Sequence, residues 1–269
     1  MRPFCLLTLV QLMTVAALAQ HPAAFPPAIE DNSFFIEEAY NQEPRVVQHI
    51  TNAAWFFTPA DFSFSFTQEW PVGSQDHQLS YTLPYASPAG MSVSGIGDVL
   101  LNYRYQAYDE GEDGFAFAPR LSVILPTGKK ENGLGSGVVG VQINLPYSRR
   151  LSRDWVIHLN AGGTILPNVK GEAGGTERTL SDMVGGTSII WLASENLNLM
   201  LEALVTNAGE IAATGEVVRS TGAIVNPGLR YAIDVGSLQI VPGISVPVSI
   251  TEGATQAGML LYLSFEHPF

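Results

Sequence analysis

Residues 61–70, DFSFSFTQEW, place Phe62, Phe64, Phe66 and Trp70 on one face and Ser63, Ser65, Thr67 and Glu69 on the other. A side-chain period of two is that of a β-strand, and this strand must lie between an apolar medium and a polar one. The pattern recurs in FAFAPRLSVIL (115–125), NLNLMLEALVT (196–206) and LQIVPGISVPV (238–248). Taken over the whole chain it predicts strands near 46–57, 61–72, 77–86, 96–108, 115–126, 137–148, 153–165, 181–193, 196–207, 221–234, 237–250 and 257–269. Most exceed the ~5–6 residues usual in soluble sheets. They match a tilted bilayer-spanning strand of ~9–11 residues plus its ends.

The last strand, MLLYLSFEHPF (259–269), turns Met259, Leu261, Leu263, Phe265 and Phe269 one way and Tyr262, Ser264 and Glu266 the other. Pairing this strand with 46–57 would leave no free sheet edge, as a membrane-embedded sheet requires. The expected fold is therefore all-β: a closed antiparallel transmembrane β-barrel of about 12 strands occupying 46–269. The bland competitor, a secreted two-sheet sandwich, should carry Lys, Glu and Thr on its outward face. Here the minor face is Ser, Gly, Ala and Asn with scattered charge. Prolines 119, 227, 242 and 247 cannot donate to a ladder, so bulges or strand ends are expected there.

At the N-terminus, Arg2, an apolar run from Phe4 to Leu18 and small residues at Ala17 and Ala19 form a signal-peptide pattern, with 1–19 removed on export. The single cysteine, Cys5, would leave with it, so no disulfide is expected. The formal net charge is −12, one unit more negative once Arg2 is lost, which excludes nucleic acid as a natural partner. The chain is 46% hydrophobic and 14% charged, with the apolar residues dispersed in period two rather than gathered in a spanning helix.

The connections agree with this reading. With both barrel ends in the periplasm, the inner turns VGSQD, DEGEDG, RRLSR, ASEN and DVGS are short, and the outer connections PTGKKENGLGSG, PNVKGEAGGTERTLSD and NAGEIAATGEVVRST are expected to be longer loops. Trp70, Tyr105, Phe115, Tyr147, Trp155, Trp191, Tyr231 and Phe269 fall near periplasmic strand ends, with Trp55, Phe57 and Phe62 at the outer rim. Aromatic girdles of this kind mark membrane interfaces. The expected location is the outer membrane of a Gram-negative cell, with membrane lipid, a small-molecule solute and the outer-membrane assembly machinery as partners of a monomer.

Three stretches carry a more specific likeness: NSFFIEEAYNQEPRVVQHI (32–50), GIGDVLLNYRYQ (95–106) followed by FAFAPRLSVILPTG (115–128), and GLGSGVVGVQINLPYSRRLSRDWVIHLNAGGT (133–164). They resemble the outer-membrane transporter family of the MetA-pathway-of-phenol-degradation type. The resemblance implies an outer-membrane barrel and passage of small, aromatic or apolar molecules. The alternative is a non-conducting structural or surface-binding barrel that acts through its outer loops. The closing Phe269 resembles the C-terminal signal read by assembly machinery.

The lumen-facing candidates are Glu69, Arg104, Arg120, His158, Glu202, Arg230 and Glu266. They could form a charged constriction that orients a solute, or they could pair with each other or with the N-terminal segment, because charges in a lumen need water or partners. That segment, 20–45, combines prolines with FFIEEAY and is expected in the periplasm or inserted into the lumen. His49 and His158 are expected to point inward and His267 toward lipid. No Ser-containing signature surrounds the inward histidines, so an enzyme is not expected. No two histidines share a strand at spacing two, the acidic loops lack calcium-loop spacing, and no metal or cofactor is expected.

Overall fold

The computed structural model describes residues 29, 32–88, 90, 92–171 and 177–269. The expected signal peptide, 1–19, and the start of the 20–45 segment lie outside the described residues. The chain forms twelve barrel strands: β1 (Val46–Phe57), β2 (Ala60–Val72), β3 (Ser74–Ser87), β4 (Gly95–Ile96 and Val99–Tyr105), β5 (Ala116–Phe117 and Arg120–Leu125) and β6 (Gly140–Asn144 and Tyr147–Arg150). The second half comprises β7 (Trp155–Lys170), β8 (Glu177–Leu192), β9 (Leu197–Ile211), β10 (Val217–Tyr231 and Ile233–Val235), β11 (Leu238–Ser245 and Val248–Thr251) and β12 (Ala254–Pro268).

Each strand pairs antiparallel with its neighbours, and β12 returns to β1 from Val46↔Pro268 to Phe56↔Gly258, so the sheet is closed. Closure satisfies every strand edge from within the chain, which is the condition for a sheet in hydrocarbon. The wall is inside out relative to a soluble protein. Ser122, Ser148, Ser188, Glu202 and Asn226 are fully buried, while Leu101, Leu121, Val141, Ile143, Leu201 and Val205 are exposed around the circumference. A continuous apolar band of this kind far exceeds the patches tolerated on soluble monomers and is the lipid-facing surface of a transmembrane barrel.

Aromatic pairs border the band. Toward the end carrying the termini of the barrel, Trp155 and Trp191 stack at 6.4 Å and Phe115 stacks on Tyr147 at 5.4 Å. At the far end Trp55 packs on Phe62 at 5.0 Å. The prolines divide: Pro119 and Pro247 interrupt β5 and β11, whereas Pro227 and Pro242 lie inside β10 and β11.

Two expectations are corrected. The described residues of 167–182 and 207–221 are mostly strand: β7 and β8 remain paired to Lys170↔Glu177, and β9 and β10 to Ile211↔Val217. Their Gly, Thr and charged residues suggest loops, but a hairpin rising beyond the hydrocarbon can keep pairing while its side chains meet water. Only 126–139 is a long far-end connection among those described. His49 also points outward, against Phe66, Phe265 and His267. Its strand alternates poorly in sequence, and the pairing of His49 with Phe265 sets its phase.

Candidate functional site: an occupied lumen

The N-terminal segment, described from Asn32 to Arg45, lies inside the barrel, where the wall's polar side chains supply its hydrogen bonds. Glu202, midway along β9, accepts from three consecutive backbone N–H groups: Phe34 at 3.0 Å, Phe35 at 3.1 Å and Ile36 at 3.1 Å. The side chain of Asn226, its cross-strand partner, donates to the same carboxylate at 2.7 Å. Three N–H groups converging on one buried carboxyl make a clamp on an otherwise irregular backbone.

The clamp continues along the segment. The Ser33 hydroxyl donates to Ser188 at 2.8 Å, the Glu37 N–H to Asn160 at 2.8 Å, the Ala39 N–H to Ser148 at 2.8 Å and the Gln42 N–H to Gln78 at 2.8 Å. Arg104 donates to the Asn41 side chain at 2.9 Å and to the Tyr40 carbonyl at 2.8 Å, and lies 3.5 Å from Glu69. Arg230 donates to the carbonyls of Asn32 and Ile29. Arg120, directly opposite Arg104 in the β4–β5 pairing, grips Glu37 with both ends of its guanidinium, at 2.5 and 2.9 Å.

Burial raises the Glu37 carboxyl, but the charges of Arg120 and Arg104 and hydrogen bonds from Arg120 and Asn144 outweigh it, holding the group below its ordinary value of 4.5. The sign follows from linkage: a carboxyl with a lower value docked than released favours docking above the released value and loses that contribution as pH falls through the docked one. The contribution of Glu37 to docking is therefore expected to weaken as pH falls below about 4.5. Glu37→Gln should flatten that dependence, read as channel open time against pH.

His158 and Ser148 meet across the β6–β7 seam, with Nδ1 and Oγ 2.7 Å apart, and the Tyr40 ring stands edge-on to the imidazole at 6.2 Å. A Ser–His contact thus forms without any signature in the sequence; the Ser148 oxygen also accepts the Ala39 N–H. Glu266 stands lower, opposite Gln48, and lines a cavity of about 230 Å³ with Glu38, Gln42 and Gln239. A second cavity of about 220 Å³ lies above, between residues 32–37 of the segment and Ile50, Asn52, Thr67, Thr82, Leu100, Asn102 and Arg120 of the wall. The segment separates the two. Phe269 is 69% exposed and tied to the barrel through its N–H to the Arg45 carbonyl at 2.9 Å.

Glycines complete the docking surface. A Cβ at Gly186 would fall 2.6 Å from Ile36 Cδ1, and one at Gly228 would fall 2.4 Å from Phe34 Cε2, so the segment's apolar side chains rest directly on backbone. These glycines, with Asn160, Gln78, Ser148 and Ser188, carry no distinguishing signal in the sequence. In isolation they read as the small polar residues of any lumen.

The far-end connection 126–139 is also anchored. Asp98 accepts from the Gly128 N–H at 2.9 Å and from the N–H and hydroxyl of Ser136, both at 2.7 Å. The three sequence stretches GIGD, LPTG and GLGSG therefore meet at one carboxylate.

Fold and lumen together define a closed β-barrel of the outer-membrane type with its bore occupied by its own N-terminal segment. Over residues 44–237, well over half its length, the chain matches the family described as putative MetA-pathway of phenol degradation, and it belongs to that family. Among curated proteins none matches the chain. An outer membrane channel from Pseudomonas putida F1 superposes with a TM-score of 0.60 at 13% identity, over 86% of this chain and 98% of that one. The NanC porin superposes at 0.52 with 6% identity, over 81% of this chain and 98% of that one. Both likenesses are of fold.

Proposed function

We propose that this protein is an outer-membrane channel for small aromatic or apolar molecules, and that residues 32–45 are a displaceable plug in its bore. The observation that carries this reading is the Glu202 clamp: a buried wall carboxylate is spent on three backbone amides of a segment outside the sheet. A barrel serving only as a scaffold could fill its core with apolar side chains, whereas hydrogen bonds and ion pairs can be exchanged for water when the segment leaves. Glu69, Arg104, Arg120, His158, Glu202 and Arg230 would then face the solute path, with Glu266 at the periplasmic mouth.

The chemistry of the upper cavity supports the solute class. Its apolar surface comes from Phe34, Phe35, Ile36, Ile50 and Leu100, beside Thr67, Asn102, Arg120 and the carboxyls of Glu37 and Glu69, and its volume of about 220 Å³ suits a ring-sized molecule with a polar group. The family description points to the same chemistry.

A reversible lock tests the plug. The Ser33 and Ser188 hydroxyls are 2.8 Å apart, so cysteines at both positions are placed to form a disulfide. Oxidised Ser33→Cys/Ser188→Cys protein is expected to show no channel openings, and reductant should restore them. Openings that persist in verified disulfide-bonded protein would rule out this segment as the gate.

A further inference from the structure

Beyond the channel reading, and independent of it, we infer that the outward face of the far-end hairpins at Arg219 binds a phosphate group of the outer-leaflet glycolipid.

Parity fixes which way these residues face. Met183, Val205 and Val225 are exposed on the lipid side of β8, β9 and β10, and side chains alternate along a strand, so Ser181, Asn207, Gly209, Arg219 and Thr221 share that side. Met183 pairs with Asn207, and Asn207 with Thr221, so the apolar band gives way to polar groups along this row. Arg219 is two residues beyond Thr221, directly opposite Gly209. It therefore stands just above the hydrocarbon, at the depth of the head groups.

The arginine is fixed there by neutral acceptors. Its Nε donates to Asn207 Oδ1 at 2.5 Å, and its terminal nitrogens donate to the Asn207 carbonyl at 3.1 Å and to Ser181 Oγ at 3.2 Å. Asn207 is steered in turn by its donation to the Thr221 hydroxyl at 2.8 Å. A Cβ at Gly209 would fall 3.6 Å from the guanidinium, so the group lies across bare backbone. A guanidinium has five N–H groups, and these bonds leave one on each terminal nitrogen. That pair can meet two oxygens of one phosphate.

Nothing in the wall neutralises the charge. Among the described residues no carboxylate lies within ion-pair distance of Arg219, whereas Arg104 and Arg120 in the lumen each have a glutamate. Asp182 is engaged by the Gly209 N–H at 3.0 Å, and Glu177 lies 3.5 Å from Lys170. All three lysines of this chain of net charge −12, Lys129, Lys130 and Lys170, belong to the same end, where Lys130 donates to the Lys170 carbonyl. The outer leaflet of a Gram-negative outer membrane is built from phosphorylated glucosamine lipid. A lipid is favoured over a free anion or a second copy of the chain because the fork faces the membrane side, directly above the Met183 row.

The test is native mass spectrometry of the full chain in detergent, with lipid A carrying both phosphates, its dephosphorylated form and inorganic phosphate as probes. The phosphorylated lipid is expected to bind about tenfold more tightly than the dephosphorylated one, and Arg219→Gln to abolish that preference. Asn207→Ala, which frees the guanidinium but keeps its charge, should reduce the preference in part, with thermal stability in lipid-free detergent unchanged. Equal binding of the two lipids to the unaltered protein, or an undiminished preference in Arg219→Gln, would overturn the site. So would displacement of the lipid by equimolar inorganic phosphate, which would make it a free-anion site, or a loss of dimers in place of a loss of lipid, which would make it a contact between copies. If Arg219→Gln does not assemble, Ser181→Ala/Asn207→Ala is the substitute, and an unchanged preference there overturns the site.

Discussion

Removing residues 32–43 is expected to open the bore and raise mean single-molecule conductance by about 100-fold. The segment is held by the Glu202 clamp, the two-point Arg120–Glu37 pair and the bonds from Arg104 and Arg230. Each hydrogen bond to a charged group contributes about 1.5–3 kcal/mol, less what water returns on release. A net docking free energy of only ~3 kcal/mol keeps the bore closed about 100 times as often as open. The deletion removes that bias without cutting a strand, because β1 pairs with β12 and β2 over its own residues. The wall charges left behind would be solvated by the water that enters. A twelve-stranded barrel lies between the filled eight-stranded case and the open porins, so an emptied bore has room to conduct.

Deleting Phe269 is expected to lower the amount of folded protein in the outer membrane by about tenfold while leaving each assembled molecule unchanged. The fold itself gives little reason for such a loss. The side chain is 69% exposed, and the residue is held by its N–H to the Arg45 carbonyl. A neutral hydrogen bond contributes about 0.5–1.5 kcal/mol, too little to unfold a closed barrel. A strong effect on membrane level, with unchanged stability after refolding in detergent, would place the role of Phe269 in recognition during assembly. Normal membrane levels would remove that role.

The barrel is legible in sequence because period two is a global signal: DFSFSFTQEW and its repeats state both faces of the wall at once. Phase is harder where the faces are chemically alike. In β1, His49, Thr51 and Ala53 face lipid while Ile50, Asn52 and Ala54 face the lumen, and only the register with β12 separates them. Hairpin height is not legible at 167–182 and 207–221, because glycine and charge suggest loops, yet beyond the hydrocarbon they do not oppose pairing. The charged lumen residues could be named from alternation alone. Their partners could not, since the Glu202 clamp joins residues 166–168 positions apart and uses backbone groups that carry no sequence identity. Gly228 and Gly243 acquire meaning only once Phe34 is seen against them.

The measurement that bears most directly on a plugged channel is single-molecule current in planar bilayers, comparing the full chain with the 32–43 deletion under identical conditions. The expected record is a mostly silent full chain with brief openings, and a deletion variant that conducts steadily at a single level. Equal silence in both proteins, with the deletion shown to be folded and inserted, would contradict the account.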